Sequence, residues 1–164
     1  MKQSGFTLVE LLIALAILSL LIGTAAPGLG ELYENQQRLT AARELASGIR
    51  AARVAAISRN QKVTIQAIDQ DWSYGWQIIA EHNTGRPDGP LLVERALDGR
   101  VRIVGNSKVA EKLSFSGLGG LLGAANGTLH VCQPRQTSSD YQVIVAITGQ
   151  VRLAERRVEH PPCG

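Results

Sequence analysis

The chain has 164 residues, 45% of them hydrophobic and 4% aromatic, with 17 Lys and Arg against 14 Asp and Glu for a formal net charge of +3. That length holds one domain of roughly 100 to 140 residues after an apolar anchor and excludes a second enzyme-sized domain. The mildly basic balance permits association with anions, nucleic acid included, without demanding it.

The chain begins with a short basic segment, Lys2-Gln3-Ser4-Gly5, followed by Phe6-Thr7-Leu8-Val9-Glu10 and the apolar run Leu11 to Ala26. About twenty residues whose only ionisable side chain is Glu10 make enough helix to cross a hydrocarbon core of roughly 30 Å, so a single membrane span over residues 6–26 is predicted. A bare carboxylate in that core costs at least ~2.5 kcal/mol, so Glu10 requires a partner. A plain anchor leaves this acid unexplained. An ordinary secretory signal fits worse, because the basic segment is very short and no clear Ala-x-Ala site follows the run, Ala25-Ala26 being the nearest approach. Lys2 stays in the cytoplasm by the positive-inside tendency, which places the remainder in a periplasm or outside the cell.

Pro27-Gly28 comes next. Proline removes a hydrogen bond and bends a helix, a disturbance that membrane helices tolerate better than soluble ones. Beyond it Leu29, Leu32, Leu39, Ala42, Leu45, Ala46, Ile49, Ala52 and Ala56 recur at spacings of three, four or seven. Residues 27–60 therefore read as an amphipathic continuation of one long helix, kinked at Pro27. Glu31 and Glu34 near its start and Arg50, Arg53 and Arg59 near its end complement the helix dipole. Arg38, Arg43, Arg50 and Arg53 admit a nucleic-acid stripe, but the interspersed Glu31, Glu34 and Glu44 favour a solvated face.

From Lys62 the period changes, and residues 61–164 read as a β-rich head. Val63 to Ile68, Tyr74 to Ala80, Leu91 to Glu94, Arg100 to Val104, Lys112 to Ser116, Thr128 to Cys132, Tyr141 to Ala146 and Gln150 to Leu153 are short β-branched or aromatic segments separated by Gly, Pro, Asn and Asp. Eight such strands predict a largely antiparallel sheet with the helix packed on one face, an α+β class. Gly85 to Pro90 is a turn-rich surface loop. Gly117 to Asn126 is another, unusually apolar at Leu118, Leu121 and Leu122, which marks a contact surface. Asn126-Gly127 reads as a hairpin turn.

Cys132 and Cys163 form an even pair in an oxidising compartment, where a structural disulfide is expected. Closing a loop of about 31 residues contributes ~3.7 kcal/mol in the chain-entropy model and ties down the tail around His160. The alternatives are two free thiols or half of a metal site. With His82, His130 and His160 far apart and no Cys-x-x-Cys spacing, the disulfide is preferred and no metal is expected.

Gly5-Phe6-Thr7-Leu8-Val9-Glu10-Leu11-Leu12 resembles the class III signal of type IV pilins and of the pseudopilins of type II secretion systems. The resemblance implies a leader over residues 1–5, cleavage between Gly5 and Phe6 by a prepilin peptidase, and N-methylation of Phe6. It also implies a helix bent at Pro27, whose first half packs in the filament and whose second half braces a globular head. A narrower likeness rests on Trp72 and Gly75-Trp76, Asp88-Gly89, Leu113-Ser114-Phe115, Asn126-Gly127-Thr128-Leu129, Val143 to Ala146 and Thr148-Gly149-Gln150-Val151-Arg152. These are similar to the GspH/FimT group of minor pilins and pseudopilins. That likeness implies a low-copy subunit near a filament tip. Its partners would be other minor subunits, the major subunit and the inner membrane.

One subset of that group binds DNA through a C-terminal Gly-Arg-x-Arg element. The corresponding stretch here, Gly149-Gln150-Val151-Arg152, lacks the first arginine. Candidate phosphate contacts for such a role are Arg152, Arg156 and Arg157, with Lys108 and Arg135. Catalysis and cofactors are not expected, since no Gly-Lys-Ser/Thr phosphate loop, Gly-x-Ser-x-Gly elbow or His-Glu-x-x-His pair occurs. Asp69, Asp71, Glu81 and Asp88 are conceivable paired carboxylates, but acids in loops are usually solvated.

Overall fold

The computed structural model describes residues 7–81, 89–123, 126–132, 138–158 and 163, with the backbone alone at 24–27. The Gly5-Phe6 junction, His82, Asp88, most of the Gly85 to Pro90 loop, Arg135 and His160 lie outside the described residues. Helix α1 runs Leu8–Arg59 and continues through Pro27. The chain divides into two compact units, Met1–Gln36 and Gln37–Gly164, so α1 contributes to both.

In the first unit every described side chain from Thr7 to Gly23 and from Gly28 to Glu34 is exposed. Among the described residues no single helix is long and apolar enough to cross a membrane, whereas Leu8–Gly23 taken together with Gly28–Arg59 meets the requirement by length and composition. Leu29 and Leu32, predicted on the buried stripe, are each 63% exposed. The helical stripe is covered only from Leu39 onward.

In the second unit α1 buries Ala41, Ala42, Leu45, Ala46, Ile49, Ala52 and Ala56. These small and branched residues let sheet backbones approach the helix closely, and each fully buried Leu or Ile stabilises by about 1.5–3 kcal/mol. The helix ends in a Schellman motif: Gln61 N–H donates to Ala56 O, Asn60 N–H donates to Ile57 O, and Asn60 takes the left-handed position with φ 48°.

Nine strands follow among the described residues: β1 Val63–Ala67, β2 Gly75–Ala80, β3 Leu91–Ala96, β4 Ile103–Gly105, β5 Lys112–Phe115, β6 Leu121–Leu122, β7 Gly127–Cys132, β8 Ser139–Val145 and β9 Val151–Val158. The sequence predicted a single sheet. Instead a five-stranded sheet of order β3-β2-β1-β5-β6 and a four-stranded sheet of order β4-β7-β8-β9 form, every pairing antiparallel. Alternation reveals which face of a strand is buried but not which neighbour it pairs with, and β4 leaves its sequence neighbours to join β7.

Both sheets turn one face to a common core. Ile65, Ile78 and Leu113 are cross-strand neighbours in the first, as are Leu129 and Val143 in the second, and all belong to the cluster that holds the buried face of α1. The sheets are also stitched at one corner, where Leu121 N–H donates to Ile147 O at 2.8 Å. Thus Leu121, expected in an apolar contact loop, is buried in β6, while Leu118 at the turn is 91% exposed. Asn126-Gly127 is not a hairpin turn: Gly127 opens β7, and the Asn126 amide oxygen accepts from Ile147 N–H at 3.1 Å.

Candidate functional site

The signal residues occupy the first turn of α1. Thr7 Oγ1 accepts from the Glu10 N–H at 3.3 Å, and Thr7 O accepts from Leu11 N–H at 3.2 Å. Thr7-Leu8-Val9-Glu10 has the Ser/Thr-x-x-Glu spacing of a capping box, a signal the apolar context hides from a sequence reading. The Glu10 side chain is exposed, as are Leu11, Leu12, Ile13 and Leu15 around it. The helix dipole stabilises an acid at this end by typically 0.3–1 kcal/mol, far less than its burial in hydrocarbon costs.

In the head three of the four helix arginines reach distant partners, which corrects the expected solvated face in part. Arg38 is buried and pairs with Asp140 at 3.5 Å. Arg50 Nη2 donates to Val151 O at 3.3 Å, and Arg53 donates to Gly119 O at 2.9 Å and Thr148 O at 3.3 Å. Arg43 and Arg50 keep the exposed position predicted for all four. Arg53 bridges the β5–β6 and β8–β9 turns, and the turn glycines make room for it. A Cβ on Gly149, at φ +80°, would meet the Arg53 side chain at 2.7 Å. Arg95 forms a bidentate pair with Glu44 of α1 at 3.0 and 3.2 Å.

Cys132 and Cys163 are joined in a disulfide, with Cα atoms 5.8 Å apart and a separation of 31 in sequence. Arg102 reinforces the junction: its Nη1 donates to Cys163 O at 2.6 Å, and its own carbonyl accepts from Cys132 N–H at 2.9 Å. His130, on β7, faces Ser139 Oγ at 3.2 Å, and burial pushes its imidazole pKa below the ordinary 6.5.

Of the carboxylates considered for catalysis, Asp71 and Glu81 are not brought together, and Asp88 lies outside the described residues. Asp71 accepts from Ser73 N–H and sits before β2, while Glu81 follows the other end of that strand, roughly 20 Å of chain away at strand rise. Glu81 is buried, held by Lys62 Nζ at 2.6 Å and by Thr64 Oγ1 at 2.5 Å. Because Thr64 donates to Glu81, Ser114 Oγ, 2.6 Å from Thr64, donates to Thr64. This is a polar chain on a sheet face, anchored by the Lys62 ion pair at Glu81 Oε2. Among the described residues no group of three or more His, Cys, Asp or Glu is placed to hold a metal.

Of the phosphate-contact candidates, Arg152, Arg156 and Arg157 lie together on β9 and are exposed. Lys108 follows β4, at the opposite edge of the same sheet, three interstrand steps or about 14 Å away.

A helix leading into an α+β head of antiparallel sheets, with a methylation-type N-terminus, defines a pilin-like protein. The model of the family described as type II transport protein GspH matches residues 41–149, and that of the prokaryotic N-terminal methylation motif matches residues 1–26. The chain belongs to the GspH family. It is similar to the type IV minor pilin FimU of Pseudomonas aeruginosa PAO1: one crystal form superposes with a TM-score of 0.62 at 28% identity, covering 74% of this chain and 90% of that one. A second crystal form gives 0.60 at the same identity, over 71% and 91%. The pilin-like protein PilA1 of Thermus thermophilus is 37% identical over 91 residues, which are 55% of this chain and 56% of that protein. The chain therefore matches a little over half the length of that curated relative.

Proposed function

We propose that this chain is an exported, membrane-anchored minor subunit of a type IV pilus or a type II secretion pseudopilus, which enters the filament near its tip and helps prime assembly. A prepilin peptidase would cut between Gly5 and Phe6 and methylate Phe6, residues 6–26 would hold the subunit in the inner membrane, and the head would wait in the periplasm. The observation that carries this reading is the apolar stretch of α1 from Leu8 to Ile22, exposed throughout, with Glu10 as its one ionisable side chain. No described residue of its own unit covers it, which supports cover by a bilayer or by other subunits. The likeness to FimU and to PilA1 supports the same reading.

Glu10 supplies the selection step. After cleavage Phe6 carries a positive amine four residues ahead of it. A lone subunit keeps the carboxylate near the headgroups, whereas a subunit drawn into the filament must bury it and pairs it with an adjoining N-terminus. The attraction is stronger in low dielectric, although desolvation offsets much of that gain. Ala14, Ala16 and Gly23 are small enough to allow close helix contact.

The test uses Glu10→Ala and Glu10→Lys in a strain lacking the wild-type copy. Both variants should insert and be cleaved, and both should crosslink less to other minor subunits, Glu10→Lys least because it sets like charges together. Wild-type crosslinking and filament number or secretion from both would overturn the pairing. Mass spectrometry of membrane-extracted protein should find a methylated Phe6 N-terminus; an intact Met1 or a start near Pro27 would overturn the processing.

A further inference from the structure

β9 closes one end of the four-stranded sheet and, among the described residues, pairs only with β8. Ala146 N–H donates to Gln150 O, which sets the alternation along the ladder. Ile144–Arg152 and Gln142–Ala154 are then the hydrogen-bonded pairs, so the N–H and C=O of Val151, Leu153 and Glu155 point away from β8. The helix uses the first of these, since Arg50 donates to Val151 O. Beyond Val151 the edge runs on through Leu153 and Glu155 to an irregularity opposite Asp140. Arg152, Arg156 and Arg157 are exposed along it beside one acid, Glu155. The strand lies outside the residues matched by the GspH family model, which end at Gly149.

We propose that the β9 edge is a docking site for an acidic, extended segment of another protein, which adds to this sheet as a fifth strand. Its backbone would pair with Leu153 and Glu155, and its carboxylates would face Arg152, Arg156 and Arg157. Strand addition draws affinity from main-chain hydrogen bonds and specificity from side chains along the edge. Charges on an edge also guard against indiscriminate pairing. Here the guard is almost wholly cationic, so it repels basic strands and admits acidic ones. Nucleic acid would use the same guanidinium groups but leave the outward amides of Leu153 and Glu155 in water, which separates the two ligands experimentally. The inference is independent of the membrane anchor, because every residue it uses belongs to the head.

The experiment is amide hydrogen exchange by NMR on the full chain in detergent micelles. The probes are an eight-residue peptide alternating Glu with Thr or Val, the same peptide with Lys for Glu, and a single-stranded DNA octamer. The Glu peptide alone should slow exchange at Leu153 and Glu155, with Arg152 and Ala154, already in the ladder, unchanged. Arg152→Glu combined with Arg156→Glu should weaken binding about tenfold, as expected for two cross-strand charge pairs. Glu155→Pro, which removes an outward N–H and leaves the β8 ladder whole, should abolish the protection. No binding of the Glu peptide at millimolar concentration, equal binding of the Lys peptide, or binding without protection at Leu153 and Glu155 would each overturn the proposal. Binding of DNA in preference to the Glu peptide would assign the arginines to nucleic acid instead.

Discussion

Two stretches of α1 put apolar side chains to opposite ends. From Ala41 to Ala56 the helix is folded into the core of the head, with Ala42, Leu45, Ile49, Ala52 and Ala56 fully buried. From Leu8 to Ile22 the large apolar side chains are more than half exposed. Glycine marks the same divide. A Cβ on Gly48 would collide with the Trp76 ring, whereas Gly23, Gly28 and Gly30 have nothing within 4 Å. Helical periodicity specifies that a face is apolar; whether the chain itself covers that face depends on what else the chain can bring to it.

The largest test of this contrast sets Leu45→Ala against Leu15→Ala. The first should cost the head about 3–5 kcal/mol through lost burial and a cavity, and the second should leave head unfolding unchanged. Denaturant unfolding followed by Trp fluorescence reads both, and comparable losses would erase the distinction. Next, Cys132→Ser with Cys163→Ser should destabilise the head by about 2–4 kcal/mol, leaving the helical signal of the first unit intact. Peptide mapping of natively exported protein should recover these two cysteines linked, and two alkylatable thiols would show the bond absent.

A smaller effect is expected of Gly48→Ala. Helix propensity favours alanine by about 1 kcal/mol, but the approach to the Trp76 ring should turn that into a net loss of about 1–2 kcal/mol. Gly23→Ala should leave the head untouched, and a stabilised Gly48→Ala would show that the helix does not press on Trp76. The smallest effect is a pH slope. Burial lowers the pKa of His130, so between that value and 6.5 the unfolded chain binds more protons than the folded one. Stability should therefore fall as pH drops below 6.5 and be level in this respect above it. Unfolding midpoints of the wild type and His130→Gln should diverge on acidification, and parallel curves would remove His130 from the account.

The sequence was most legible where burial follows a local repeat. The stripe from Leu39 to Ala56 and the strand cores of β1, β2, β5, β7 and β8 all stand where alternation or 3.6-residue spacing put them. Strand ends were less so. The expected strand from Arg100 begins only at Ile103, because Asp98 accepts from Arg100 N–H and holds the chain in a turn. The expected Gln150 to Leu153 segment extends to Val158, since an edge strand tolerates the charged run Glu155-Arg156-Arg157 that reads as loop. The roles of Arg38, Arg50 and Arg53 were illegible for a different reason. Their partners lie 66 to 102 residues away in sequence, and no local pattern encodes which distant carbonyl or carboxylate a guanidinium will reach.

Those three arginines also decide how the head bears force. As α1 climbs from Arg38 to Arg53, about 22 Å at helical rise, its ties advance from Asp140 near the start of β8 to Thr148 in the turn beyond its end, so helix and β8 lie alongside one another. Tension applied along α1 then loads the ties and the buried face beneath them together, in shear. A pull across the sheet at β9 opens the ladder one hydrogen bond at a time. Force spectroscopy on the two attachment geometries should give the higher rupture force through α1, and equal forces would refute parallel loading. The stretch of chain that seats the head is in this way also its strongest handle.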